Sequence, residues 1–191
     1  MGDRSVTRNC GPDLARVGAG LPVAAYRDEI TTALHGGRAV IVAPPGTGKT
    51  TFVPPLVASR CSGRVIVTQP RRVAARAAAR RLAALTGTRP GEFASHTVHG
   101  ESTTTRDTKV EFVTTGVLLR RLLSDPDLTG VDAVVLDEVH ERHLDADLVV
   151  AMVCEVAQLR DDLTIVAMSA TVDSSGSVSY THLTLPTKRI V

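Results

Sequence analysis

Six short apolar runs recur along the chain at spacings that leave room for a helix between most of them. They are Arg38–Ala43, Arg64–Gln69, Ala94–His99, Val110–Thr114, Asp132–Asp137 and Leu163–Met168. Several are almost unbroken, such as Ala39-Val40-Ile41-Val42 and Ala133-Val134-Val135-Leu136. Strands covered on both faces read this way, because neither face has to meet water. Between them, Arg71–Leu85 is rich in Ala and Arg, Gly116–Ser124 carries Val117, Leu119 and Leu123, and Leu144–Leu159 places Leu144, Leu148, Ala151, Met152 and Leu159 near one face. Ahead of the first strand, Pro22 suits the first turn of a helix that buries Ala25, Ile30 and Leu34 and stops at Gly36-Gly37. Alternating strand and helix predicts an α/β fold, doubly wound around a mostly parallel sheet. Residues 1–20 are polar with glycines at 11, 18 and 20 and read as a flexible lead-in; Ser102–Thr105 reads as a solvated loop.

Composition narrows the class. At 191 residues, 43% hydrophobic and 22% charged, the chain suits one globular domain and excludes wholesale disorder. No apolar run approaches the roughly 20 residues of a membrane-spanning helix, and the first ten residues lack a signal-peptide core. Three scattered cysteines, Cys10, Cys61 and Cys154, form no C-x-x-C pair, which fits a reducing cytosol and a cytoplasmic protein. Net charge is +2, but Lys188 and Arg189 supply all of it; without them acids and bases balance. Nucleic-acid contact would therefore need a local basic edge. Residues 178–187 back-translate to a string similar to a transposon-end adapter used in DNA library preparation. The expectation is that 174–191 is not native and that 21–173 is the front domain of a longer protein.

Two motifs carry chemistry. Ala43-Pro44-Pro45-Gly46-Thr47-Gly48-Lys49-Thr50 follows a buried strand and matches a phosphate-binding P-loop, with Ala43 where the general pattern has Gly. Its backbone N–H groups, from Pro45 through Gly46, Thr47, Gly48, Lys49 and Thr50 to Thr51, would curl around phosphate oxygens; the prolyl nitrogen itself offers no donor. Lys49 would neutralise the β and γ phosphates of ATP, and Thr50 would place its hydroxyl on Mg²⁺. The second motif is Val134-Val135-Leu136-Asp137-Glu138, an apolar strand ending in two acids. Ligands of open α/β sheets sit beyond the carboxyl ends of the strands, so Asp137 and Lys49 can meet around one nucleotide. Asp137 would hold the metal and Glu138 would orient and deprotonate the attacking water.

Around these motifs the sequence resembles the DEAH-box helicases of superfamily 2. Asp137-Glu138-Val139-His140 is similar to their motif II, with Val139 for the usual Ala, and Glu141-Arg142 continues the likeness. Ser169-Ala170-Thr171 resembles motif III, Thr68-Gln69-Pro70-Arg71-Arg72 motif Ia, and Thr114-Thr115-Gly116-Val117-Leu118 motif Ib. Within the family the bacterial HrpB-type helicases share the Leu-Pro-Val opening, the Pro-Pro in the P-loop and an Arg-Asp-Asp-Leu run. The resemblance implies a RecA-like ATP-binding domain of an RNA helicase. In it His140, Ser169 and Thr171 would couple the nucleotide site to strand movement, and Arg71, Arg72, Thr115 and Gly116 would line the backbone of single-stranded RNA. It also implies a second RecA-like domain, which supplies an arginine to the site. The competing readings are a P-loop ATPase or switch module acting without nucleic acid, and a small-molecule kinase, for which no segment remains to build a lid. Arg76 and Arg80 read as a solvated helix face at i, i+4 spacing. His140 and His143 are one residue too close for a zinc-protease helix. His96 and His99 read as two partly exposed strand histidines, and Cys154 as a buried helix residue.

Overall fold

A computed structural model of the chain describes residues 11–139, 144–170 and 187–189. Among these residues eight strands form one sheet: β1 (Arg38–Val42), β2 (Arg64–Gln69), β3 (Ala94–Val98), β4 (Glu101–Ser102), β5 (Val110–Thr114), β6 (Val131–Leu136), β7 (Thr164–Ser169) and β8 (Thr187–Arg189). Their order is β4-β3-β5-β2-β6-β7-β1-β8, and every pairing is parallel except β3 with β4. Six strands match the six apolar runs within a residue or two. The stretch expected to be non-native lies outside the described residues apart from 187–189, which pair with β1.

Among the described residues six α-helices complete the layers: α1 (Leu14–Gly18), α2 (Arg27–Leu34), α3 (Lys49–Ala58), α4 (Arg72–Thr86), α5 (Thr115–Ser124) and α6 (Leu144–Leu159). The period-2 alternation of the strands divides the core. Val65 and Val67 of β2 join Ala133 and Val135 of β6 on the side of α1 to α4, while Ile66 and Val134 join the side of α5 and α6. Both layers are apolar, so the central strands are buried on both faces, as their continuous runs require.

Five expectations are corrected. Residues 11–20 are not a loose lead-in: Asp13 caps α1 through Oδ1, and Leu14 and Val17 are buried in the core. The segment after Leu21 begins as a 3-10 turn, Pro22–Tyr26, which shifts the phase; Val23 is buried and Ala25 exposed. In α6 the buried face is Val149, Val153, Val156 and Ala157, leaving Leu144 and Leu159 more than 80% exposed. In α5 it is Leu118 and Leu122, while Leu123 faces out. The hydroxyls of 102–105 are also less solvated than expected. Thr104 donates to Glu111, and Thr103 takes the His96 N–H.

A buried ionic hub ties the second layer to the sheet. Glu111 of β5 is 1% exposed and accepts two bonds from Arg121 of α5 at 2.8 and 2.9 Å, one from Thr97 at 2.7 Å, and one from Arg64 at 3.3 Å. A carboxylate so deep needs this much compensation to stay charged.

Candidate active site

The loop between β1 and α3 is shaped by its glycines. Gly46 and Gly48 take φ of 78° and 90°, which side-chain-bearing residues rarely adopt. A Cβ at Gly48 would lie 2.9 Å from Leu21. The turn is fixed further by Thr47, whose hydroxyl donates to Pro44 O at 2.8 Å, and by Val23 N–H, which donates to Thr47 O at 3.1 Å. Lys49 opens α3 and is buried, its ammonium donating to Pro44 O at 3.0 Å and to Ala43 O. Burial pushes the Lys49 pKa down, against the pull of Asp137 and Glu138.

The acid pair stands opposite, where β6 ends. Asp137 is buried, and its Oδ2 accepts from Thr50 Oγ1 at 2.5 Å and from Gln69 Nε2 at 2.6 Å. Its Oδ1 accepts the Glu138 N–H at 2.9 Å, and its own N–H donates to Thr68 Oγ1. Burial raises the Asp137 pKa, while the Thr50, Gln69 and Glu138 donors work in the other direction. Glu138 has φ of 54°, so the chain leaves the strand abruptly and the residue is exposed. One cleft gathers Gly46, Lys49, Thr50, Asp137 and Glu138, with Pro45 and Thr51 on its wall. Leu21, Arg81 of α4 and Ala170 complete it.

The candidate nucleic-acid residues gather along the same edge of the sheet. Arg71 precedes α4 and Arg72 begins it, both exposed, just past the end of β2. Thr115 and Gly116 begin α5 past the end of β5, which is paired with β2 at Gln69↔Thr114. A second cleft, with Pro70, Thr115 and Gly116 on one wall and Asp137 and Glu138 on the other, runs between this edge and the acids. Ser169 is buried at the end of β7, its carbonyl accepting from Ala43 N–H. His140 and Thr171 lie outside the described residues, as do Glu141, Arg142 and His143.

Two residues that meet the site were given no role from the sequence: Gln69, quoted only within the motif Ia likeness, and Arg81. Gln69 and Arg81 meet the site only through the fold. Arg120 lies beside His99 at 3.3 Å, beyond the end of β3. Arg80 is exposed as expected, but Arg76 pairs with Glu101. His96 is not partly exposed: it is buried, with Nε2 2.8 Å from Glu101. Cys154 is only half-buried. Among the described residues no group of three or more His, Cys, Asp or Glu is placed to hold a metal ion, and no helix is long and apolar enough to cross a membrane.

A parallel sheet with a glycine-shaped phosphate loop at the end of one strand and an acid pair two strands away defines a RecA-like P-loop nucleotide-binding domain. The DEAD/DEAH box helicase family model matches residues 26–177, and the chain belongs to that family. It is 44% identical over 158 residues to the ATP-dependent RNA helicase HrpB of Escherichia coli, covering 81% of this chain and 20% of that protein. It is 38% identical over 177 residues to the mouse ATP-dependent RNA helicase DHX29, covering 85% of this chain and 13% of the relative. The crystal structure of the E. coli DEAH/RHA helicase HrpB superposes with a TM-score of 0.82 at 40% identity, over 89% of this chain and 22% of that one. The chain thus spans a fifth or less of the length of these two relatives.

Proposed function

We propose that the chain is the ATP-binding half of an ATP-dependent RNA helicase, with residues 21–173, together with the docked α1, as its first RecA-like domain. The observation that carries the reading is the meeting of the P-loop and the acid strand in one cleft, where Thr50 and Asp137 are 2.5 Å apart beside Lys49 and Glu138. The relatives' names supply RNA as the nucleic acid.

The side chains suit the chemistry. Backbone N–H groups of the loop and the Lys49 ammonium complement the phosphates. The Thr50 hydroxyl and the Asp137 carboxylate are hard oxygen donors converging on one point, and they fit Mg²⁺. That ion is held by one or two carboxylates plus phosphate and water, and needs no larger acidic cluster. When bound it would offset charge on the phosphates. Glu138, exposed in the cleft, would orient a water and take its proton. Arg81 adds a cation at the cleft wall. Arg71, Arg72, Thr115 and Gly116 would contact the RNA backbone, with exposed cations and helix-start N–H groups as donors. Ser169, with His140 and Thr171, would link the two regions.

Strand movement needs a second RecA-like domain that opens and closes on the first and brings a cation to the phosphates. Comparing this chain with a full-length protein for ATP hydrolysis and duplex unwinding tests the reading. The chain alone should bind Mg-ATP weakly with almost no turnover, and RNA should stimulate hydrolysis only in the longer protein. Robust RNA-stimulated turnover by the short chain would refute the half-site, and RNA-independent turnover by the longer one would favour an ATPase acting without nucleic acid.

A further inference from the structure

Gln69 is the last residue of β2 and is only 3% exposed. Burying an amide at a strand end is costly unless it is bonded, and a leucine would fill the same space without that cost. The bond it makes is specific. Nε2 donates to Asp137 Oδ2 at 2.6 Å, the same oxygen that takes the Thr50 hydroxyl. The residue before it, Thr68, takes the Asp137 backbone N–H at 3.2 Å. Two consecutive residues of β2 therefore hold Asp137, the Thr68 hydroxyl at its main-chain N–H and the Gln69 amide at its carboxylate.

On its other side Gln69 is one residue from the candidate nucleic-acid edge. Pro70 follows, with φ fixed by its ring, and then Arg71 and Arg72 lead into α4. A stiff single-residue spacer transmits displacement instead of absorbing it. Behind Gln69, Val65, Ile66 and Val67 are fully buried between two packed layers, so the strand is anchored up to its end and only Gln69 and Pro70 join it to the start of α4.

We propose that Gln69 is a positioning residue that couples the nucleic-acid edge to the nucleotide site through Asp137. The proposal rests on the RNA-helicase reading above. A phosphate backbone drawn onto Arg71 and Arg72 displaces the start of α4 and, with it, the Gln69 amide. Short bonds to a charged acceptor are strong and directional, so a small displacement changes how Asp137 is held and where Thr50 points. Coupling of this kind is reciprocal: whatever RNA does to nucleotide affinity, nucleotide does to RNA affinity.

The test is a binding cycle in the full-length protein, with a fluorescent ATP analogue and a single-stranded oligouridylate as probes and Mg²⁺ present throughout. In the parent, saturating RNA should shift the analogue's Kd by about 10-fold, within the usual range for coupled sites. Gln69→Met is close in shape but has no donor. It should reduce that shift to less than about 2-fold, whatever common change it makes to the two Kd values measured alone. Gln69→Asn keeps the amide one methylene short of Asp137 and should also lose most of the coupling; it carries the test if the Met variant does not fold. A residue that merely supports the fold would lower the melting temperature and leave the coupling ratio unchanged, and that result overturns the proposal. A parent whose nucleotide affinity ignores RNA, or that binds no RNA, instead overturns the helicase reading on which it stands.

Discussion

Thr50 donates its hydroxyl to Asp137 at 2.5 Å across 87 residues of sequence, joining the first turn of α3 to the end of β6. No local motif could enforce that distance. It follows from sheet order, because β1 and β6 flank β7 with all three strands parallel, so their carboxyl ends open on the same side. Four consequences can be measured.

Lys49→Ala should weaken binding of a fluorescent ATP analogue by at least about 10-fold, since removal of a charge-assisted contact costs about 1.5–3 kcal/mol. The Lys49 ammonium is buried among loop carbonyls, ready to turn toward phosphate oxygens. Unchanged affinity in a titration would remove it from the site.

Glu138→Gln in a full-length protein should bind nucleotide normally and release phosphate about 100-fold or more slowly, the usual contribution of a general base. The amide preserves shape but cannot take a proton. Parent-like phosphate release in a single-turnover assay would assign the base elsewhere.

Gly48→Ala should lose both stability and nucleotide affinity. The backbone sits at φ 90°, and the added carbon would press on Leu21 at 2.9 Å. Strain of this kind costs about 1–3 kcal/mol. Thermal melting should register the loss, and a titration should show weaker binding because the loop cannot keep its turn.

Glu111→Gln should destabilise the chain by about 3 kcal/mol, the penalty for stripping a buried ion pair of one partner. Burial acts to raise the Glu111 pKa, but bonds from Arg121 and Thr97 and the charges of Arg121 and Arg64 outweigh it, and the net shift is downward. A carboxyl depressed on folding adds stability that is full above its unfolded value near 4.5 and lost as pH falls through the folded value. Melting temperature should therefore fall more steeply below pH 4.5 in the parent than in the variant. Parallel acid profiles would mean that the hub contributes nothing through its charge.

How much of this could be read from sequence depended on how local each signal was. The strands were legible because covered strands write themselves as unbroken apolar runs, and the loop glycines and the acid pair were legible because their spacing is fixed within a few residues. Helix faces were not. In α6 leucines and valines occupy most of the circumference, so Leu144, Leu148 and Leu159 looked as suited to the core as Val149, Val153 and Val156. Only the position of the sheet decides between them. The five-residue α1 was too short to announce a period. Gln69, quoted only as part of the motif Ia likeness, acquires its role from a partner 68 residues away, and Arg81 acquires its own from the cleft wall that it joins.

The brace beneath the phosphate loop has a further consequence. Because Val23 bonds to Thr47 and Leu21 lies against Gly48, the formed turn and the docked segment around Leu21 and Val23 support each other. Any ligand that selects the formed turn must then also protect that segment, by linkage. Nucleotide occupancy would be recorded in how slowly a protease cuts between Leu14 and Tyr26, a stretch in which only Leu21 lines the cleft.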